Sequence, residues 1–311
     1  MERWPELPYT AWKDTCATLQ LWTQIVGKTR LALTPWLNHS WHVTLYVTAR
    51  GLTTSLISGK DFDFEIAFDF LDHAVLIRAA DGRSQSLALR PMTVGDFYKS
   101  YLDALAGLGI AVEISGTPNE VIEAIPFAED RSHGSYDPVY ANRFWRVLLR
   151  SHAVFSDFRS SFLGKASPVH FFWGSFDLAV TRFSGRRAPL HSGGFPHIPD
   201  AVVREAYSHE VSSAGFWPGG GGVDFPAYYS YAYPVPEGFS EATIGPPEAC
   251  FSKELGEFLL PYDAVRSADD PERKLLEFLQ STYAAAAELG NWNRAALECE
   301  PGVPRRPRPV E

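Results

Sequence analysis

The spacing of apolar and polar positions divides the chain into helices and strands that recur in the same order. Four helices are predicted. The first follows Thr10, a good N-cap, and sets Trp12, Cys16, Leu19, Trp22 and Val26 on one stripe at intervals of three and four. The second begins at Thr93, with Asp96 three residues on, carries Phe97, Tyr101 and Leu105 on its apolar side and stops near Gly107. Asp137-Pro138 and Asp270-Pro271 open the third and fourth, each an N-cap followed by proline at the first helical position, where a missing N–H costs nothing. Their stripes are Phe144, Leu148, Phe155, Phe158 and Phe162, and then Leu275, Leu279, Tyr283 and Ala286 up to Gly290.

Strand-like segments lie between the helices. WHVTLYVTAR (41–50) alternates Trp41, Val43, Leu45 and Val47 against His42, Thr44, Tyr46 and Thr48. FDFEIAFDF (62–70) alternates phenylalanines and Ile66 against acids, and AVLIRAA and SLALR flank Asp81-Gly82 as a hairpin. Further strands are read in HFFWGSFDLAVTRF (170–183), AYSHEVSSAGF (206–216), AYYSYAY (227–233) and EFLLPYDAV (257–265).

The order helix, strands, helix therefore occurs twice. Trp12 and Trp145 stand 133 residues apart (145 − 12), and at that offset Trp22 meets Phe155, Leu45 meets Leu178 and Val47 meets Val180. These observations predict an α+β protein of two related halves. Each half is helix–antiparallel strands–helix, and both are packed around a shared or continuous, mostly antiparallel sheet. The halves are read as 1–115 and 137–292, joined by a linker at 116–136 rich in Gly and Pro and followed by a disordered tail at 293–311.

Composition narrows the function classes. With 45% hydrophobic residues, 21% charged residues and a net charge of -9, the chain is an ordinary globular one without the basic surface of a nucleic-acid binder. No opening basic-then-apolar segment and no run of about 18 apolar residues is present, so neither a signal peptide nor a membrane span is expected. Three scattered cysteines, Cys16, Cys250 and Cys299, form no paired framework and fit a reducing, cytoplasmic setting, with Cys16 a core residue.

No phosphate loop, nucleophile elbow, dinucleotide fingerprint or HExxH is present, and the glycines at 219–222 read as a flexible loop or lid. Candidate chemistry rests on polar residues inside apolar strands. Asp177 falls on the same strand face as Ser175 and Thr181. It either pairs with an arginine such as Arg182 or faces His42 across a cavity as an acid–base pair. His209 and Glu210 are the other catalytic candidates, on opposite faces of their strand. A metal set drawn from His170, His209 and Glu210 would suit a single Zn or Fe ion. Arg186, Arg187 and His191 follow the Asp177 strand and, with Trp173, Arg182, Tyr207 and Trp217, are the candidate substrate contacts.

The runs WPELPYTAWKDTCATLQLWTQIVGK, WHVTLYVTARGLTT, SPVHFFWGSFDLAVTRFSGRRAP and EAYSHEVSSAGFWPGGGG resemble an uncharacterised bacterial family of unknown function, number 5996. The resemblance implies a bacterial cytoplasmic protein and brings no activity with it. Three readings stay open: a lyase, hydrolase or oxygenase acting on a small anionic or aromatic molecule, a non-catalytic binder of an apolar ligand or haem-like cofactor, or a structural protein.

Overall fold

Helix α1 (Tyr9–Leu33) runs through the middle of the molecule, and from Leu21 to Arg30 every residue on it is buried. Such a helix must give its polar side chains partners. Thr29 meets the Tyr101 hydroxyl at 2.6 Å, Thr15 accepts from the Asp137 N–H at 3.0 Å, and Arg30 donates to the Thr44 carbonyl at 2.7 Å. Trp12, Cys16, Leu19, Trp22 and Val26 are all in the core as the stripe predicts. The helix starts one residue before Thr10, with Pro8 in the N-cap position. The computed structural model describes residues 2–308.

The first half continues with short strands β1 (Tyr46–Val47), β2 (Gly51–Thr53) and β3 (Ile57–Ser58), then β4 (Asp63–Asp69), β5 (Ala74–Ala79) and β6 (Ser84–Ala88). All pairings are antiparallel, in the order β1-β2-β4-β5-β6 with β3 also on β4. Phe64, Ile66 and Phe68 point into the core, and Gly82 closes the β5–β6 turn at φ 92°. Helix α2 (Val94–Gly107) follows, capped by the Thr93 hydroxyl on the Asp96 N–H.

The second half repeats the order. Helix α3 (Pro138–Ser160) is capped by Asp137, and β7 (His170–Phe172), β8 (Asp177–Arg187), β9 (His209–Trp217), β10 (Ala227–Tyr233), β11 (Cys250–Ser252) and β12 (Glu257–Pro261) build a second antiparallel sheet in the order β11-β12-β10-β9-β8-β7. Short helix α4 (Asp200–Ala206) lies between β8 and β9, α5 (Tyr262–Arg266) follows β12, and α6 (Pro271–Leu289), capped by Asp270, closes the half before α7 (Arg294–Leu297). The protein is thus α+β, with two six-stranded sheets. They join edge to edge where Leu45 and Phe171 exchange two backbone hydrogen bonds of 2.9 and 2.8 Å. One core serves both halves, with Trp12 of α1 packed in a tilted pair at 5.3 Å against Phe144 of α3.

Three expectations change. The run 170–183 is a hairpin instead of one strand: Phe176 takes φ 61° and folds β7 back on β8. The run 41–50 is mostly a turn, because only Tyr46 and Val47 find ladder partners in β2. The run 206–216 begins with the end of α4, and β9 starts at His209. Residues 294–308 lie back along the end of α3, where Leu163 and Cys299 donate to the Leu297 and Ser161 carbonyls.

Candidate functional site

The second sheet has an apolar inner face and a polar outer one. Leu178, Val180, Phe216 and Tyr228 alternate inward beneath α3 and α6. The intervening positions, Asp177 and Thr181 of β8, Ser213 and Gly215 of β9, Tyr229 and Tyr231 of β10 and Glu257 of β12, share the outer face. AYYSYAY thereby lines up Tyr229, Tyr231 and Tyr233 on one side of a strand.

Asp177 is 6% exposed and is held by two hydroxyls: Ser175 donates to Oδ1 at 2.7 Å, and Tyr229 donates to Oδ2. Tyr229 reaches it by lying over Gly215, where an added Cβ would fall 2.4 Å from the phenol. Glu120 arrives from the linker between the halves. Its carboxyl rests on Gly174, whose absent Cβ would stand 2.1 Å from Oε1, and the Ser175 hydroxyl lies between Glu120 and Asp177. Glu120 itself has φ 59°, a left-handed conformation that costs a non-glycine residue about 1 kcal/mol or more.

Burial raises the Asp177 carboxyl above its ordinary range, against the opposing effect of the Tyr229 and Ser175 hydroxyls. Burial and then the Asp177 charge push Glu120 up to about 7, and the same two causes push Glu257 up to about 7. None of the three carboxyls forms an ion pair among the described residues. A second chain of hydroxyls crosses the same face, with Tyr207 on Tyr231 at 3.0 Å and Ser213 on Thr181 at 2.8 Å. Rings continue it outward: His191 stacks on Tyr207 at 4.8 Å and lies 5.0 Å from Tyr233.

The arrangement can pass protons. Ser175 donates to Asp177 and lies within reach of Glu120, so a protonated Glu120 that turned its proton toward the Ser175 oxygen would complete a path from one carboxyl to the other.

Of the residues singled out in the sequence, Asp177, Tyr207 and His191 come together here. His42 does not: its Nδ1 accepts from the Leu37 N–H at 3.2 Å, its ring lies 4.5 Å from Trp36, and no contact with Asp177 forms. Nor does Asp177 pair with Arg182, because an odd separation along one strand sends them to opposite faces. Arg182 is buried inward among Phe158, Phe162 and Tyr283 and donates to the Ser161 hydroxyl at 2.9 Å.

The ligand set His170, His209 and Glu210 does not converge. His170 pairs with Ala179 and His209 with Arg187, eight residues along β8, or roughly 25 Å at about 3.3 Å per residue. Among the described residues no three of His, Cys, Asp and Glu are grouped to hold a metal ion. His170 is fully buried, its Nδ1 on the Ala179 carbonyl at 3.1 Å and its Nε2 without a partner. His209 stands in a basic corner, 6.1 Å from the His39 ring and near Lys165 and Arg187. Glu210 accepts from Ser184 at 2.7 Å and from Arg186 Nε at 2.8 Å, and Arg186 also holds the Gly290 and Asn291 carbonyls.

Trp173 is buried and donates to the Val43 carbonyl at 2.8 Å, so it serves packing. Trp217 ends β9 beside the glycines at 219–222, which form the β9–β10 turn against Tyr9. Two clefts open elsewhere on the surface. One of about 130 Å³ opens among Val211, Tyr233, Leu289 and Trp292, and a groove of about 420 Å³ runs along α2 by Leu102, Ile110 and Val112. The first also takes in Glu210, which is already paired with Arg186, and neither gathers unpaired carboxyls, so the carboxyl–tyrosine nest is the stronger candidate.

Sequence reasoning missed Glu120 and Glu257. Glu120 is a lone acid in an irregular segment and Glu257 opens a short strand, and neither position carries a local mark. The tyrosines of β10 did carry one, in their spacing of two.

The chain belongs to the family of unknown function DUF5996, which matches residues 4–299. No curated protein and no solved structure matches it. No helix among the described residues is long and apolar enough to cross a membrane.

Proposed function

We propose that this member of DUF5996 is an acid–base enzyme whose reaction centre is the nest formed by Glu120, Asp177, Glu257, Tyr207, Tyr229 and Tyr231. The observation that carries the reading is the gathering of three carboxyls without a basic partner, two of them poised near neutrality. A carboxyl with its pKa near the working pH both gives and accepts a proton readily. Glu120 and Glu257 are the proton-transferring groups, kept protonated toward neutral pH by burial first and by the neighbouring Asp177 carboxyl second.

The substrate is a small polar molecule, neutral or cationic, lying against the tyrosine rings. An anion would meet the charge of Asp177, and Arg186, which would have balanced it, is engaged by Glu210. A hydrolase or lyase fits this equipment, since both deliver a proton to a departing group and remove one elsewhere. The twice-occurring helix–strands–helix order supports descent from a duplicated unit, the scattered cysteines support a reducing, cytoplasmic setting, and the family resemblance supports a bacterial one.

The stacked rings of His191 and Tyr207 also support a second reading, a non-catalytic binder of a flat ligand. The two readings part on titration. Carbon-13 NMR of glutamate side-chain carboxyls, assigned with Glu120→Gln and Glu257→Gln, should find two midpoints near 7 if the acid–base reading holds. Glutamates that all titrate at about 4–5 would sink the acid–base reading and favour the binder.

A further inference from the structure

Glu120 has no strand or helix of its own to hold it, yet it occupies a defined seat on Gly174. What holds it comes from the other half of the chain. Gln20, Gln24 and Lys28 are spaced by four along α1 and therefore stand in one row on its surface. Gln20 Nε2 donates to the Gly174 carbonyl at 2.7 Å, at the floor of the Glu120 seat. Gln24 grips the backbone of Asn119 on both sides: Nε2 donates to its carbonyl at 2.9 Å, and Oε1 accepts from its N–H at 2.8 Å. Lys28 Nζ donates to Asn119 Oδ1 at 2.5 Å.

Lys28 is 2% exposed and Gln24 is 0% exposed, so these are interior contacts and carry the cost of burying polar groups. The Lys28 ammonium lies 5.9 Å from the Phe127 ring and 5.8 Å from the Trp173 ring. Burial lowers it to about 8. A leucine or methionine would fill such a place without that cost, so the polar row answers to something besides packing.

The far side of Asn119–Glu120 is held as well. Asn119 Nδ2 donates to the His197 carbonyl at 2.5 Å, and the Glu120 N–H donates to the Pro196 carbonyl at 2.9 Å. The segment that carries those carbonyls also places His191 on Tyr207 and gives the Pro189 carbonyl to the Tyr233 hydroxyl. Asn119 therefore stands between the interior row of α1 and the loop that borders the nest.

We propose that Gln24 and Lys28, with Gln20 beneath them, are positioning residues that hold Glu120 in its left-handed conformation against Ser175 and Asp177. The proposal rests on the acid–base reading of the nest. It assigns to the first half of the chain a part in a site whose other residues belong to the linker and the second half, and it explains why a buried helix carries an amide and an ammonium at its centre.

The test is the titration of Glu120 in the full-length double variant Gln24→Ala/Lys28→Met, with Glu257 as an internal control. Freed from the clamp, Glu120 moves away from Asp177, and its carbon-13 midpoint should fall from about 7 by about one unit or more. Glu257, held by β12, should stay where it is. Removing the Lys28 charge by itself would move Glu120 in the opposite direction, upward, so the sign of the shift separates loosening from simple electrostatics. Circular dichroism establishes that the variant is folded. Asn119→Ala, which removes the Lys28 acceptor without touching the packing of α1, is the second variant and should lower Glu120 by a smaller amount. An unchanged or raised Glu120 midpoint in a folded variant overturns the proposal. Failure of the underlying reading looks different, because both glutamates would then titrate at ordinary values in the unaltered protein.

Discussion

The Tyr229 phenol occupies the space that a side chain at residue 215 would need, and from there it donates its proton to Asp177. The relationship joins a glycine in one strand, a tyrosine in the next and a carboxylate two strands away from that tyrosine. It also makes the three positions interdependent.

Tyr229→Phe should therefore act on Asp177 more than on the fold. The ring keeps its packing, Asp177 retains only the Ser175 hydroxyl, and the loss of a donor to a buried carboxylate costs about 1–3 kcal/mol. The Asp177 carboxyl should titrate at higher pH in the variant, as followed by carbon-13 NMR. An unchanged midpoint would mean that the hydroxyl is not what holds the charge.

Gly215→Ala is expected to be more severe. Its Cβ would fall 2.4 Å from both the Tyr229 ring and the Leu178 carbonyl oxygen, and the latter is strand backbone that cannot step aside. A loss of about 2 kcal/mol or more follows from overpacking of this kind. Denaturant unfolding measures it, and a neutral outcome would show that the sheet yields at this point.

Stability should depend on pH through two sets of groups with opposite signs. Glu120 and Glu257 keep their protons in the folded protein up to about 7, whereas the unfolded chain releases them near its ordinary value of 4.5. Their contribution is full below pH 4.5 and is lost as pH rises to about 7. Glu120→Gln and Glu257→Gln should then raise the melting temperature at pH 8, each by about 2–4 °C, and change little at pH 4.

His170 works in the other direction. Burial lowers it to about 4 from an ordinary value of 6.5, so the folded protein holds it neutral while the unfolded chain takes up a proton. Its contribution is present above pH 6.5 and is lost as pH falls toward 4. In His170→Phe the difference in unfolding free energy between pH 8 and pH 5 should shift in favour of pH 5 relative to the unaltered protein. An identical pH dependence would show that the ring is already protonated when folded.

Arg182 and Asp177 lie on opposite faces of β8, so a double-mutant cycle between Asp177→Asn and Arg182→Met should be additive to within about 0.5 kcal/mol. A coupling well above that would restore the ion pair between them that the sequence left open.

What was legible in the sequence was local. The caps Thr93, Asp137 and Asp270 act on N–H groups two or three residues away, so the helices they start could be read without knowledge of the rest. Period-two alternation placed Phe64, Ile66 and Phe68 inward and put Asp177 on the face of Thr181, because a strand's pleat is a property of the strand, whereas Ser175 meets Asp177 from the hairpin turn. The uncharacterised family was legible too, since long runs of residues carried it.

The tertiary structure decided what those faces meet. Nothing near Asn119–Glu120 marks it as part of a site, and its grip on Gln24 spans 95 residues. The sheet turned Asp177 away from Arg182 and left His42 and His209 in other corners, although each had the chemistry to be its partner. Which groups share a low-dielectric space, and so which carboxyls are driven toward neutrality, depends on how α1, the linker and the second sheet pack together. Residue spacing along the chain does not encode that distance.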